Sequence, residues 1–203
     1  HSFAVINGRF AALFLTGQTS TYRARFAIAK VDEPVSAEDW WLYDMSLVDW
    51  FDYAGALTTV ETQLVMAYGD GERGWYGQAT AEYPGTRTDW QLSEAPWPVG
   101  VSQVTSVEDQ LYVVLGFASP DVPSGYVRVC RSLVAEPGGI DDWEVFEVGT
   151  SGFRTGSQPQ LVTVNDRIYV AAWFGDWWPR PRLLYADNSA APTETAWTPL
   201  AVA

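Results

Sequence analysis

A tryptophan recurs four times along this chain at nearly constant spacing, as Trp40, Trp90, Trp143 and Trp197. The intervals are 50, 53 and 54 residues, an aspartate directly precedes the first three, and a proline lies five or six residues before each. Self-similarity at a fixed period of this length is typical of proteins built from repeated supersecondary units. We therefore interpret the four recurring residues, here called the marker tryptophans, as packing residues of four repeats.

A second repeated segment confirms the period independently. Residues 5–10, 59–64, 106–111 and 163–168 each read as an apolar strand end, a short polar turn and a new apolar run. Turns of Asn-Gly character between apolar runs predict β-hairpins. The runs that follow, residues 10–15, 64–68, 111–117 and 168–174, are rich in the β-branched and aromatic residues that favour strands. No segment shows a helical period, so the sequence predicts an all-β protein.

Each repeat contains two further candidate strands. The third is predicted at residues 23–29, 75–81, 126–130 and 183–186, and the marker tryptophan opens the fourth. Four strands in about 50 residues are typical of a β-propeller blade. The sequence predicts one domain, residues 1–203, with blades at about 2–50, 51–100, 101–155 and 156–203. Three closures stay open: four blades packing side to side, two chains completing a larger ring, or a fragment of a longer protein.

The last repeat carries a family resemblance. The segment Gln158-Pro159-Gln160-Leu161 through Asn165-Asp166, then Leu184-Tyr185-Ala186 and Trp197, resembles repeats of secreted bacterial β-propellers. The placement of the tryptophan is also similar to the Asp-box of sialidase-like propellers, although no repeat contains Ser-x-Asp-x-Gly-x-Thr-Trp. The resemblance implies a propeller fold and an extracellular location. The catalytic residues of sialidases have no matching positions here.

Composition narrows the classes of partner. Lysine and arginine total 12 against 25 aspartates and glutamates, a formal charge of −13. This charge argues against nucleic acids and anionic membranes, which attract basic surfaces. Cys130 is the sole cysteine and His1 the sole histidine, which excludes an intrachain disulfide and histidine-based zinc or Ser-His-Asp sites. We expect no metal and no cofactor.

Six tryptophans outside the repeat form the candidate site. Trp75, Trp173, Trp177 and Trp178 lie around connections between second and third strands, and Trp50 and Trp97 lie between blades. In an up-and-down blade these two kinds of connection emerge on the same rim. The sequence thus predicts one aromatic rim, and the alternative is that these rings pack loops onto the blades.

Polar residues accompany the aromatic rim. Arg73, Asp176, Arg180 and Arg182 lie in the same segments, and aromatic rings beside charged groups suit the apolar face and the hydroxyls of a sugar. The leading prediction is a non-catalytic, lectin-like extracellular module that binds glycans.

Two other functions stay open. An assembly protein would use the rim or the blade seam as a subunit contact, with a protein ligand or a homo-oligomer. A glycoside hydrolase would need two carboxylates beside a pocket. Its candidate acids are Asp52, Asp70, Glu72 and Asp176, although the segment 70–74 also reads as an ordinary hairpin turn.

Overall fold

The computed structural model describes residues 2–18, 21–45, 55–69, 73–97, 100–107, 110–117, 126–148, 159–165, 167–174, 180–187 and 197–200. These residues form four four-stranded sheets, which we call blades 1 to 4. Blade 1 contains β1 (Ser2–Ile6), β2 (Arg9–Gln18), β3 (Thr21–Ala29) and β4 (Trp40–Asp44). Blade 2 contains β5 (Ala56–Val60), β6 (Gln63–Gly69), β7 (Gly74–Ala79) and β8 (Trp90–Ala95). Blade 3 contains β9 (Val101–Val107), β10 (Gln110–Phe117), β11 (Tyr126–Ser132) and β12 (Trp143–Glu147), and blade 4 contains β13 (Gln160–Val164), β14 (Arg167–Phe174), β15 (Arg180–Asp187) and β16 (Thr198–Leu200).

Every blade is an antiparallel meander in which the strands are hydrogen-bonded in chain order. The all-β prediction and the four blades are therefore confirmed. Three marker tryptophans open a fourth strand, and Trp197 directly precedes the fourth strand of blade 4. The single domain over residues 1–203 stays a prediction.

The hairpin between the first two strands is tight in blades 1 and 2. In blade 1 both turn residues have positive φ angles, +46° at Asn7 and +81° at Gly8, and the flanking Ile6 and Arg9 are paired. This geometry matches a type I′ turn, which favours Asn-Gly because asparagine and glycine tolerate the left-handed region. Blade 2 makes the equivalent turn with Glu61 at φ +52°, although a glutamate has no such preference.

In blades 1, 2 and 3 the third and fourth strands are connected through a short 3-10 turn, which is held by the aspartate before the marker tryptophan. Asp89 Oδ2 accepts hydrogen bonds from the backbone N–H groups of Gly85 and Thr86 and from the Thr86 hydroxyl, at 2.9 to 3.1 Å. Asp39 and Asp142 accept equivalent backbone bonds in blades 1 and 3. These bonds hold the pKa of the Asp39 carboxyl below its usual range. The Asp-Trp pair is therefore a structural unit of the turn.

Buried side chains fill the spaces between consecutive blades. The marker tryptophans of blades 2, 3 and 4 each pack into the interface with the preceding blade. Trp90, for example, contacts Phe26 of blade 1 edge-on, with ring centroids 5.0 Å apart, and its Nε1 donates to the Tyr43 hydroxyl at 2.8 Å. Each of the three interfaces has its own buried cluster. The structural reading of these marker tryptophans agrees with their packing.

The first strands line the inner side of the assembly. The backbone N–H of Leu57 in β5 donates to the Ser2 hydroxyl of β1 at 2.9 Å, and the Thr59 hydroxyl donates to the carbonyl of Val5. The Gln103 side chain of β9 makes two bonds with the backbone of Leu161 in β13. Polar side chains thus join the inner strands of neighbouring blades, which leaves the fourth strands outermost.

Candidate functional site

The strand ends define two rims. Gly69 at the end of β6, Gly74 at the start of β7 and Ala95 at the end of β8 are in register. The links between second and third strands and between consecutive blades therefore begin at one rim, as the sequence analysis expects. We call it the loop rim. The opposite rim, formed by the hairpins and the 3-10 turns, is the turn rim.

Ion pairs recur at the outer part of the loop rim. In blade 1 Arg25 and Asp44 are cross-strand partners, with Nε 2.8 Å from Oδ1. In blade 3 Arg128 and Glu147 repeat the arrangement at 2.7 Å. All four side chains are about 40% exposed, so solvent screens the attraction and each pair adds at most about 1 kcal/mol. The sequence alone did not indicate these pairs, although arginine recurs at the same repeat position.

Blade 2 departs from this pattern. Its arginine position is occupied by Trp75, which is paired across the strands with Glu94. The Arg73 guanidinium then lies 3.9 Å from the Glu94 carboxylate. Trp75 is partly buried and packs against the cluster between blades 1 and 2, while Arg73 is exposed. A tryptophan, a carboxylate and a guanidinium thus meet where the 69–74 link begins and ends, and they can bind both the apolar face and the hydroxyls of a sugar.

Trp97 does not belong to an exposed aromatic surface. It is fully buried, and its ring meets that of Trp143 edge-on at 4.7 Å. Its carbonyl oxygen lies so close to Gly74 that a Cβ on the glycine would come within 2.2 Å of it. The prediction of Trp97 as a stacking residue is therefore wrong, because its ring is packed between blades 2 and 3.

The other predicted site residues are only partly described. Trp173 and Arg180 lie on the paired strands β14 and β15, at the loop-rim end of blade 4. The structure describes the backbone of these two residues but not their side chains. Arg182 is exposed on β15 opposite Ala172. The remaining candidates lie outside the described residues, namely Trp50, Asp176, Trp177 and Trp178, as do Asp52, Asp70 and Glu72. Their roles stay predictions.

A polar cavity opens on the turn rim between blades 2 and 3. Its volume is about 260 Å³, and two carboxylates, Glu61 and Glu136, line it together with the amides of Gln63, Gln78 and Gln110. Burial, and secondarily the charge of Glu136, raises the pKa of Tyr76 nearby. Sequence reasoning placed Glu61, Gln63 and Gln110 in hairpins and Gln78 in a third strand, and it did not single out Glu136. The repeated polar turns were the available signal, but spacing along the chain does not show which turns face each other.

Among the described residues no group of three histidine, cysteine, aspartate or glutamate side chains is placed to bind a metal ion. No helix in the described part of the chain has the length and apolar character needed to cross a bilayer. Burial raises the pKa of the Cys130 thiol well above its usual value, so this thiol is not a nucleophile at neutral pH.

Comparison with known structures supports a β-propeller fold. No protein-family model matches the sequence, and no curated protein matches it. An α-L-arabinofuranosidase from Clostridium thermocellum is similar in structure, with a TM-score of 0.55 and 12% identity over 98% of this chain and 72% of the other. An α-L-arabinanase from Cellvibrio cellulosa, complexed with arabinohexaose, gives 0.52 and 12% over 95% and 75%. A neuraminidase-like protein of A/flat-faced bat/Peru gives 0.58 and 13% over 98% and 50%.

These likenesses support the β-propeller fold, and they correct the leading functional prediction. The similar structures include arabinanases and arabinofuranosidases, which are glycoside hydrolases. The non-catalytic, lectin-like reading is therefore wrong as the leading one. The features that suggested a lectin, aromatic rings beside charged groups, are also found in enzymes that act on sugars. The chain resembles sialidase-like and family-43 propellers in fold.

Proposed function

We propose that this protein is a glycoside hydrolase that acts on arabinose-containing or related glycans. The observation that carries the proposal is the match of nearly the whole chain to propellers that hydrolyse such glycans. The structural similarity extends over all four blades, but the sequence identity is low. We therefore assign the catalytic and substrate-binding roles from the residues at the loop rim of this chain. Since polymeric glycans lie outside cells, we also propose an extracellular location.

The segments that connect strands at the loop rim contain acids of the kind that the reaction needs. Hydrolysis of a glycosidic bond uses one carboxylic acid to protonate the leaving oxygen and a second carboxylate as nucleophile or base. The two carboxyl groups stand about 5 Å apart in retaining enzymes and about 6.5 to 9.5 Å apart in inverting ones. Asp52, Asp70, Glu72 and Asp176 are the candidate pair members, because the strands on either side of each end at this rim.

The described residues beside the 69–74 link fit a substrate-binding role. Trp75 is partly exposed and is the cross-strand partner of Glu94, whose carboxylate lies 3.9 Å from the Arg73 guanidinium. Stacking of a sugar on an indole covers apolar C–H groups, and charged groups form strong hydrogen bonds with hydroxyls. We assign Trp75, Arg73 and Glu94 to substrate positioning, with Asp70 and Glu72 as the nearest candidate acids along the chain.

Hydrolysis assays with isosteric variants test the proposal. The wild-type protein is incubated with arabinan, arabino-oligosaccharides and a sialoside, and released sugars are quantified by chromatography. The variants Asp52→Asn, Asp70→Asn, Glu72→Gln and Asp176→Asn remove one candidate acid each. We expect two of them to lower kcat by a factor of about 100 or more, the usual contribution of a positioned acid or base.

A matched control separates chemistry from charge. Glu33→Gln removes an exposed carboxylate in the turn between β3 and β4, on the turn rim, and kcat should stay within about twofold of wild type, since surface substitutions away from special features have small effects. Trp75→Ala should raise KM more than it lowers kcat. The proposal is overturned if no glycan is hydrolysed, or if hydrolysis survives all four acid substitutions.

A further inference from the structure

One face of blade 1 is apolar and open to solvent. Phe3 is 72% exposed, Phe10 49% and Leu42 53%. Phe3 and Leu42 line a shallow hollow of about 540 Å³, whose other walls are Ala12, Phe14, Ala27, Ala37 and the marker residue Trp40. Contiguous apolar surface of this kind on a soluble protein usually marks an interaction site. We call it the blade 1 face.

The repeat alignment shows which surface of the other blades corresponds to the blade 1 face. Aligning residues 5–10 with 59–64 makes Phe3, Phe10 and Ala12 equivalent to Leu57, Leu64 and Met66 of blade 2. These three side chains are 4%, 0% and 0% exposed, and they belong to the cluster between blades 1 and 2. The same repeat positions are therefore buried in blade 2 and open in blade 1.

Blades 3 and 4 repeat the arrangement. Their equivalent residues are buried in the clusters shared with the preceding blade, together with the marker tryptophan of each: Val104, Leu111, Val113 and Trp143 in blade 3, and Leu161, Ile168, Val170 and Trp197 in blade 4. Three of the four blades thus pack this face against a neighbour. Among the described residues no buried cluster joins blade 1 to blade 4.

Blade 4 has the reciprocal face. Val162 is 56% exposed and Val164 50%, and their repeat equivalents in blade 1 are Ala4 and Ile6, which pack toward blade 2. Tyr185, which is partly exposed, is equivalent to the buried Ile28. The blade 4 face is thus of the type that receives the next blade along the chain.

We propose that the blade 1 face of one copy packs against the blade 4 face of a second copy of this chain. The contact continues the interface that the chain already makes three times between its own blades. Its two halves are different and complementary, because one carries the marker tryptophan and the other receives it. A contact between two blade 1 faces has no precedent within the chain. Each copy carries a formal charge of −13, so added salt should strengthen the association by screening repulsion.

Light scattering over a range of protein and salt concentrations tests the proposal. The wild-type protein should form dimers or head-to-tail oligomers. Phe3→Glu blocks the blade 1 face and Val162→Glu blocks the blade 4 face, and each should weaken association by a factor of about ten or more, because a charge is buried without a partner. Val134→Glu is the control, since Val134 is 44% exposed in the turn between β11 and β12 of blade 3, which carries neither face, and it should associate as wild type does.

Mixing the two blocked variants gives the decisive result. Phe3→Glu retains its blade 4 face and Val162→Glu retains its blade 1 face, so an equimolar mixture should recover a heterodimer with one intact contact. Circular dichroism checks that each variant folds, and Leu42→Glu replaces Phe3→Glu if that variant does not. A monomeric wild-type protein overturns the proposal. So does an oligomer that survives Val162→Glu, or a mixture that stays monomeric.

Discussion

The burial of a marker tryptophan depends on whether a blade covers it, and this can be measured by comparing Trp90 with Trp40. Trp90 is 6% exposed, contacts the Phe26 ring edge-on and donates a hydrogen bond to the Tyr43 hydroxyl. Trp40 occupies the same repeat position on the uncovered blade 1 face and is only partly buried. Alanine at each position should therefore have very different effects on the free energy of unfolding.

The expected difference follows from burial. A tryptophan buries about 200 Å², which at about 25 cal/mol per Å² corresponds to about 5 kcal/mol as an upper bound. Measured losses for tryptophan to alanine in cores are about 3 to 5 kcal/mol, and we expect a value in this range for Trp90→Ala. Trp40→Ala leaves no closed cavity, so we expect a loss of about 1 to 2 kcal/mol.

Equilibrium unfolding in urea measures both values. The midpoint should fall much further for Trp90→Ala than for Trp40→Ala, while the slope of the free energy against urea concentration stays unchanged. The protein is kept dilute, so that no second copy covers Trp40. Equal losses in dilute solution would refute the reasoning, because they would mean that blade 1 is covered within a single chain.

Two further predictions concern the turns and the buried tyrosines. Glu61→Gly should stabilise the protein by about 0.5 to 1 kcal/mol, because glutamate is strained at its positive φ angle, and thermal unfolding measures the shift. Burial raises the pKa values of Tyr43 and Tyr76 above their usual value near 10. Their contribution to stability is therefore fully present below about pH 10 and lost as the pH rises beyond it. Denaturant midpoints should fall across that window, and by less in Tyr43→Phe; an unchanged midpoint would contradict the assignment.

The sequence predicted the blades well because their signals are local. The Asn7-Gly8 turn and the strand runs after it follow from backbone preferences of a few adjacent residues. The marker tryptophans were read as packing residues because they recur at one repeat position. Their partners, such as Phe26 for Trp90, depend on how one blade lies on the next and could not be read from spacing.

The candidate site was harder to predict because it rests on residues outside the repeat. Placing Trp97 in the aromatic rim was wrong, and the alternative of packing against the blades holds for it, since it fills a gap between blades 2 and 3 against Trp143. The same reasoning placed Trp75 correctly on the loop rim but did not foresee its Glu94 neighbour. Whether such a rim binds or hydrolyses a glycan depends on the separation of two carboxylates, which composition does not determine.

The repeat links the fold, the association and the site. The marker tryptophans of blades 2, 3 and 4 pack on the preceding blade. Trp40, the marker tryptophan of blade 1, has no preceding blade within the four described. The exposed Phe3 and Leu42 beside Trp40 follow from the same repeat that buries Leu57 and Leu92 more deeply in blade 2. The loop rim ends at this seam, so a second copy packed there would extend the rim beyond one chain. If glycan hydrolysis requires that extension, Phe3→Glu should lower activity together with association, whereas Val134→Glu in blade 3 should change neither.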